Sequence, residues 1–266
     1  MEKMKILYIS QEITPYLPEN DMSGIARYLP QGVQERGREI RTFMPRYGCV
    51  NERRNQLHEV IRLSGMNLVI NDTDHPLIIK VASIQAARMQ VYFIDNEDYF
   101  QRKYVLKDEK GVEFPDNDER AIFFARGVLE TVIKLRWTPD IIHCHGWLTS
   151  LVPLYIKKYY IDDPLFTQSK VVYSVYDDDF SNSLNKDYKE KLLIEGVTPE
   201  DVAILESPDF ENVSKLAIDH SDAIIQGTKQ INDNIREYIQ SSGKLFLDYQ
   251  TKENYIDAYN DFYNKV

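Results

Sequence analysis

The chain has 266 residues, 43% of them apolar, and a formal net charge of −10. That length holds one large α/β domain or two small ones, and an acidic chain with no basic stripe excludes nucleic acid as a partner. No apolar run reaches the ~18 residues that span a bilayer, and the apolar run at the N-terminus is too short for a signal peptide, so a cytoplasmic protein without membrane contact is expected.

Residues 5–10 read as a first strand, apolar enough to lie in a sheet covered on both faces. Residues 11–23, with Pro15 and Pro18, predict a loop. Residues 24–37 predict a helix with Gly37 as its C-terminal cap, and 39–44 a second strand, the beginning of a βαβ unit. Between residues 51 and 95, short alternating runs at 58–63, 67–70, 77–81 and 89–95, with Asn71-Asp72 as a turn, predict an antiparallel excursion. His58 and His75 stand singly among polar residues and read as surface. Asn117 or Asp118 is expected to cap a long helix whose buried side carries Ile122, Phe123, Val128, Leu129, Val132 and Ile133; Glu119 and Arg120 then read as cap and exposed ion pair.

Residues 139–153 organise the chain. A short buried strand, 140–144, runs into Gly146, and a helical apolar pattern starts at Trp147. His143 and His145 lie two apart and project to one side of the strand end, which in an open α/β sheet is where ligands bind. Another buried strand, 170–175, leads into Tyr176-Asp177-Asp178-Asp179, a set of carboxylates that suits a divalent cation or a solvated loop equally. Beyond Ser181 the pattern is mostly helical, with a last strand at 222–226 and a helix at 231–239. Tyr255, Ile256, Tyr259, Phe262 and Tyr263 share one face of a final helix, a stripe read as core packing. The two cysteines, Cys49 and Cys144, are too few and too far apart for a disulfide framework and are expected as thiols.

Taken together, these residues resemble the glycogen and starch synthases. Glu12 and Pro15 match the family's Glu-x-x-Pro, Gly24-Ile25-Ala26 the end of its glycine segment, and Glu35-Arg36-Gly37 the end of its first helix. Pro45-Arg46-Tyr47-Gly48, the run from Val91 to Phe100, and Asp116-Asn117 with Glu119-Arg120 continue the series. His143-Cys144-His145-Gly146-Trp147, with Pro153, resembles His-x-His-Asp-Trp followed by Pro. The departures are specific. The lysine before the family's glycines has no counterpart, and the loop here carries Glu19 and Asp21. Gly146 replaces an aspartate, and Tyr176-Asp177 replaces His-Asn.

The resemblance implies a Rossmann-like, mainly parallel sheet flanked by helices, corresponding to the N-terminal half of a two-domain (GT-B type) glycosyltransferase. It also implies glucosyl transfer from ADP- or UDP-glucose to an α-glucan, with His145 catalytic and Glu12, Ser23, Gly24, His143, His145, Trp147, Tyr176 and Asp177 in contact with substrate. No cofactor and no metal are expected. Residues 1–266 are expected to be one self-contained domain, with a helix at 251–265 folding back on it. The donor-gripping second domain has no counterpart, and transfer needs electrostatic stabilisation of a leaving pyrophosphate. The isolated chain is therefore expected to be inactive, with a glucan-binding or regulatory role. Two alternatives stay open: a transferase completed by a separate donor-binding chain, and an unrelated metal-dependent enzyme using His143, His145 and Asp177 to Asp179.

Overall fold

The computed structural model describes residues 3–266. The sheet begins with β1 (Lys5–Ser10), and α1 (Asp21–Glu35) returns the chain to β2 (Glu39–Pro45). After the single turn α2 (Glu52–Asn55) come β3 (His58–Glu59), β4 (Met66–Ile70), β5 (Thr73–Ile84) and β6 (Met89–Asp95). Then follow α3 (Glu97–Phe100), α4 (Asn117–Leu135), β7 (Ile141–His145), α5 (Leu151–Lys157), β8 (Lys170–Val175) and α6 (Tyr188–Lys191). The chain closes with α7 (Phe210–His220), β9 (Ala223–Gln226), α8 (Asp233–Ser241), β10 (Leu245–Leu247) and α9 (Tyr255–Tyr263). The strand order is β10-β9-β8-β7-β1-β2-β6-β5-β3, with β4 paired to β5. All pairings from β10 to β6 are parallel, and those made by β5 are antiparallel. The α/β class and the mainly parallel sheet are as the sequence predicts. No helix among the described residues is long and apolar enough to cross a membrane.

The order reverses at β1: β2 lies on one side of it and β7 on the other. This is the switch point at which an open α/β sheet leaves a crevice beyond its strand ends. The central strands are buried on both faces, which is why they read as unbroken apolar runs. Leu7, Ile9, Ile142 and Cys144 point into a core closed by α4, α5 and α7. Ile6, Tyr8, Ile141 and Val172 point the other way, onto Leu29 and Val33 of α1 and Tyr255, Tyr259, Phe262 and Tyr263 of α9. All four of these aromatic side chains are buried.

Several local expectations are corrected. Helix α1 begins three residues before Gly24, because Asn20 caps it. The Asn20 side chain accepts from the Ser23 amide at 2.8 Å, and the Ser23 hydroxyl accepts from the Asn20 amide at 2.8 Å, a reciprocal capping box. The expected strand at 58–63 is only the pair His58–Glu59, whereas β5 grows to twelve residues. It forms a hairpin with β4 through Asn71 and Asp72, whose φ values of 49° and 59° are those of a type I′ turn. Trp147–Thr149 is a 3-10 turn, and α5 starts at Leu151. Residues 181–209 hold only single turns, not longer helices.

His75 is buried, against the surface reading, with its Nε2 3.0 Å from the Tyr99 hydroxyl. Neither Asn117 nor Asp118 caps α4. The cap position is Asp116, whose carboxylate is paired with Arg102. Asp118 accepts from Lys191 at 2.8 Å and from Asn185 at 3.0 Å. Arg120 is fully buried rather than exposed.

Candidate functional site

A cleft of about 810 Å³ opens beyond the carboxyl ends of β1, β8 and β9. Its walls come from Gln11 and Glu12 after β1, Asn20 to Met22 at the start of α1, and the segment 104–108. Residues 176–179 after β8 and 228–230 after β9 complete it. Gln11 pins the switch point: its amide donates to the His145 carbonyl at 3.1 Å, and its Oε1 accepts from the Leu148 amide at 3.1 Å. Asn20 does two jobs, since the Nδ2 of this cap residue also donates to Glu12 Oε2 at 2.7 Å and so fixes a carboxylate at the lip. Across the cleft, the Asp177 amide donates to Thr228 Oγ1 at 3.0 Å, tying the turn after β8 to the turn after β9.

The segment 104–108 is held from beneath by Arg120. Its guanidinium donates to the Tyr99 carbonyl, Asn117 Oδ1 and the Val105 carbonyl, each at 2.7 Å. Burial lowers its pKa to about 10, so it stays charged at neutral pH with its donors spent on the loop that forms the cleft wall. Gly48 allows the same region to close tightly, because a Cβ there would lie 2.3 Å from the Arg102 carbonyl oxygen.

Both histidines are buried, their rings 3.9 Å apart. His143 shares hydrogen bonds with the Tyr263 hydroxyl through Nδ1 and the Ser174 hydroxyl through Nε2, each 2.7 Å. His145 Nδ1 lies 2.7 Å from the Tyr176 hydroxyl, and its Nε2 has no partner within the protein. Burial drives the pKa of His145 down to about 3 and that of His143 well below its usual value, with His145 adding to the second effect. Both rings are therefore neutral over the physiological range. Tyr176 connects them to the cleft, which it lines. Its ring is wedged against Gly227, where a Cβ would come within 2.5 Å of it.

Of the residues singled out in the sequence, Glu12, Tyr176 and Asp177 to Asp179 line the cleft, and His143 and His145 lie buried outside its lining. Ser23 is buried and spends its hydroxyl on the helix cap. Gly24 opens onto a neighbouring groove with Tyr28 and Tyr255. Trp147 is buried edge-on against Phe180, and only its backbone faces the site, donating to Asp178 Oδ2 at 2.9 Å. Despite that bond, desolvation raises the Asp178 pKa to about 7, with Asp179 and Glu12 contributing as like charges. Among the described residues, no group of three or more His, Cys, Asp or Glu is arranged to hold a metal ion. The sequence reading missed Gln11, Asn20 and Arg120. Gln11 had a usable signal, since it directly follows the strand at which the sheet order reverses.

An open sheet with a crevice at its switch point is the architecture of one half of a GT-B glycosyltransferase. A family model described as the starch synthase catalytic domain matches residues 5–245, and the chain belongs to that family. It is 36% identical over 234 residues to a glycogen synthase of Chlorobium luteolum, covering 87% of this chain and 47% of that protein. It is 32% identical over 254 residues to a glycogen synthase of Pelodictyon phaeoclathratiforme, covering 93% and 51%. Among solved structures, the catalytic domain of starch synthase IV from Arabidopsis thaliana, bound to ADP and acarbose, has the same fold. Its TM-score is 0.75 at 17% identity, over 94% of this chain and 52% of that one. The chain spans about half the length of the curated relatives it matches.

Proposed function

We propose that this chain provides the glucan-facing half of a glycogen or starch synthase and binds α-glucan in the 810 Å³ cleft. On this reading it does not by itself transfer glucose from a sugar nucleotide. The observation that carries the proposal is the charge of the cleft. Six carboxylates line it, those of Glu12, Asp21, Asp108, Asp177, Asp178 and Asp179, against the two ammonium groups of Lys107 and Lys229. Carboxylates and amides such as Gln11 and Asn20 accept from and donate to sugar hydroxyls, whereas a pyrophosphate needs converging cations. Glu12, Tyr176 and Asp177 touch the glucan. His145 is a positioning residue: buried and neutral, it holds the Tyr176 hydroxyl. His143, Ser23, Gly24 and Trp147 act behind that surface. The donor contacts of glucosyl transfer then come from outside the described residues. The chain works in the cytoplasm, where Cys49 and Cys144 remain thiols.

Calorimetric titration with maltoheptaose, ADP-glucose and UDP-glucose tests this. Maltoheptaose is expected to bind, and Asp177→Ala to weaken it by roughly tenfold. Sugar nucleotide binding tighter than glucan binding, or glucose transfer to glycogen by the pure chain, overturns the reading. Transfer that starts only when a second protein is added supports it.

A further inference from the structure

A second cleft, of about 670 Å³, lies at the opposite end of the sheet, where β2 begins and where β5 turns into β6. Its charge is reversed. Lys3, Arg38, Arg41 and Arg88 line it, with Glu39 as the one carboxylate, and this in a chain of net charge −10. Glu39 is occupied, accepting from the Trp137 indole N–H. None of the four cations is ion-paired within the described residues. The side-chain partners of Arg38 and Arg41 are neutral: Arg38 donates to Asn260 at 3.1 Å and to Asn264 at 2.7 Å, and Arg41 donates to the Tyr92 hydroxyl at 2.9 Å. The Arg41 guanidinium also lies over the Trp137 ring, 5.2 Å from its centre. Two further polar atoms of the lining, Arg41 Nε and Gln34 Oε1, are buried without a hydrogen-bond partner.

Unpaired like charges held together in a concave site raise each other's energy, and an anion placed among them relieves it. The volume is that of a small-molecule site, and the unpaired Gln34 oxygen suits a ligand that brings several hydroxyl donors beside its anionic group. We infer that this cleft is a binding site for a sugar monophosphate. Its phosphate lies among Lys3, Arg38, Arg41 and Arg88, and its hydroxyls reach Gln34. The site is separate from the glucan cleft and does not depend on what that cleft binds.

Ribose 5-phosphate, titrated calorimetrically into the whole chain beside ribose and inorganic phosphate, tests the assignment. The phosphate ester is expected to bind more tightly than either. Reversing the exposed charges in a Lys3→Glu/Arg88→Glu variant is expected to weaken it by roughly tenfold or more, and removing the cleft cations at the other end, in Lys107→Ala/Lys229→Ala, to leave it unchanged. Absence of binding overturns the inference. So does loss of binding only in the Lys107/Lys229 variant, or inorganic phosphate binding as tightly as the ester.

Discussion

The two faces of the central sheet are built from different chemistry. On the α4–α5–α7 side, β1 and β7 present Leu7, Ile9, Ile142 and Cys144 to aliphatic and phenylalanine side chains. On the α1–α9 side, the same two strands present Tyr8, His143 and His145, and α9 answers with Tyr259 and Tyr263. The first face is held by apolar area removed from water. The second is held partly by hydrogen bonds between groups that each cost free energy if left unpaired. The second reaches the cleft beyond the strand ends through His145 and Tyr176. Both faces carry stability, and the polar one also reaches the site.

The sharpest way to break that division is to remove residues 251–266. This exposes four buried aromatics, each worth ~1.5–3 kcal/mol of burial. The unfolding midpoint in urea is expected to fall further than for any single substitution. An unchanged midpoint would mean that α9 adds nothing to the face it covers. Next in size, Ile142→Ala on the aliphatic face is expected to cost about 2–5 kcal/mol. Tyr263→Phe keeps the ring and removes only the hydroxyl on His143, at roughly 1–2 kcal/mol. If equilibrium unfolding gives Tyr263→Phe the larger loss, the polar face, not the aliphatic one, dominates stability.

The smallest effect belongs to Asp178, at the rim of the cleft. Its folded-state pKa, about 7, lies above the ordinary 3.8. The folded chain therefore holds that proton more tightly than the unfolded chain does, and this contribution to stability is lost as pH rises from about 4 through 7. Asp178→Asn has no such proton to lose and still offers an oxygen to the Trp147 amide. Its stability relative to the parent is expected to grow by about 1 kcal/mol across that window, allowing for partial exposure of the carboxyl. A constant difference between pH 4 and 8 would show that Asp178 does not titrate there.

What could be read from the sequence was whatever local pattern determines. Strands β1, β2, β7, β8 and β9 are buried on both faces and so announce themselves as apolar runs, and Asn71-Asp72 announces its hairpin by composition. What escaped depends on distant partners. His75 is buried by Tyr99, across 24 positions. Arg120 is buried because the loop from Tyr99 to Val105 folds over it. The start of α1 was masked by Pro15 and Pro18, and by a capping box whose second member is Ser23 where Glu or Gln is usual. At the site, Glu12, Tyr176 and Asp177 follow from their place at strand ends. The burial of Trp147 and Ser23 does not, because spacing along a chain gives the side of a strand and not the depth.

Gly227 and Tyr176 restrict how this sequence can drift. The tyrosine ring occupies the volume that any side chain at 227 would need, and its hydroxyl is engaged by His145. A mutation at either position alone must pass through a form in which the ring is displaced or the histidine loses its partner. The two codons are therefore coupled: a lineage that enlarges residue 227 can do so only after, or together with, a smaller residue at 176, and with that residue it gives up the hydroxyl that partners His145.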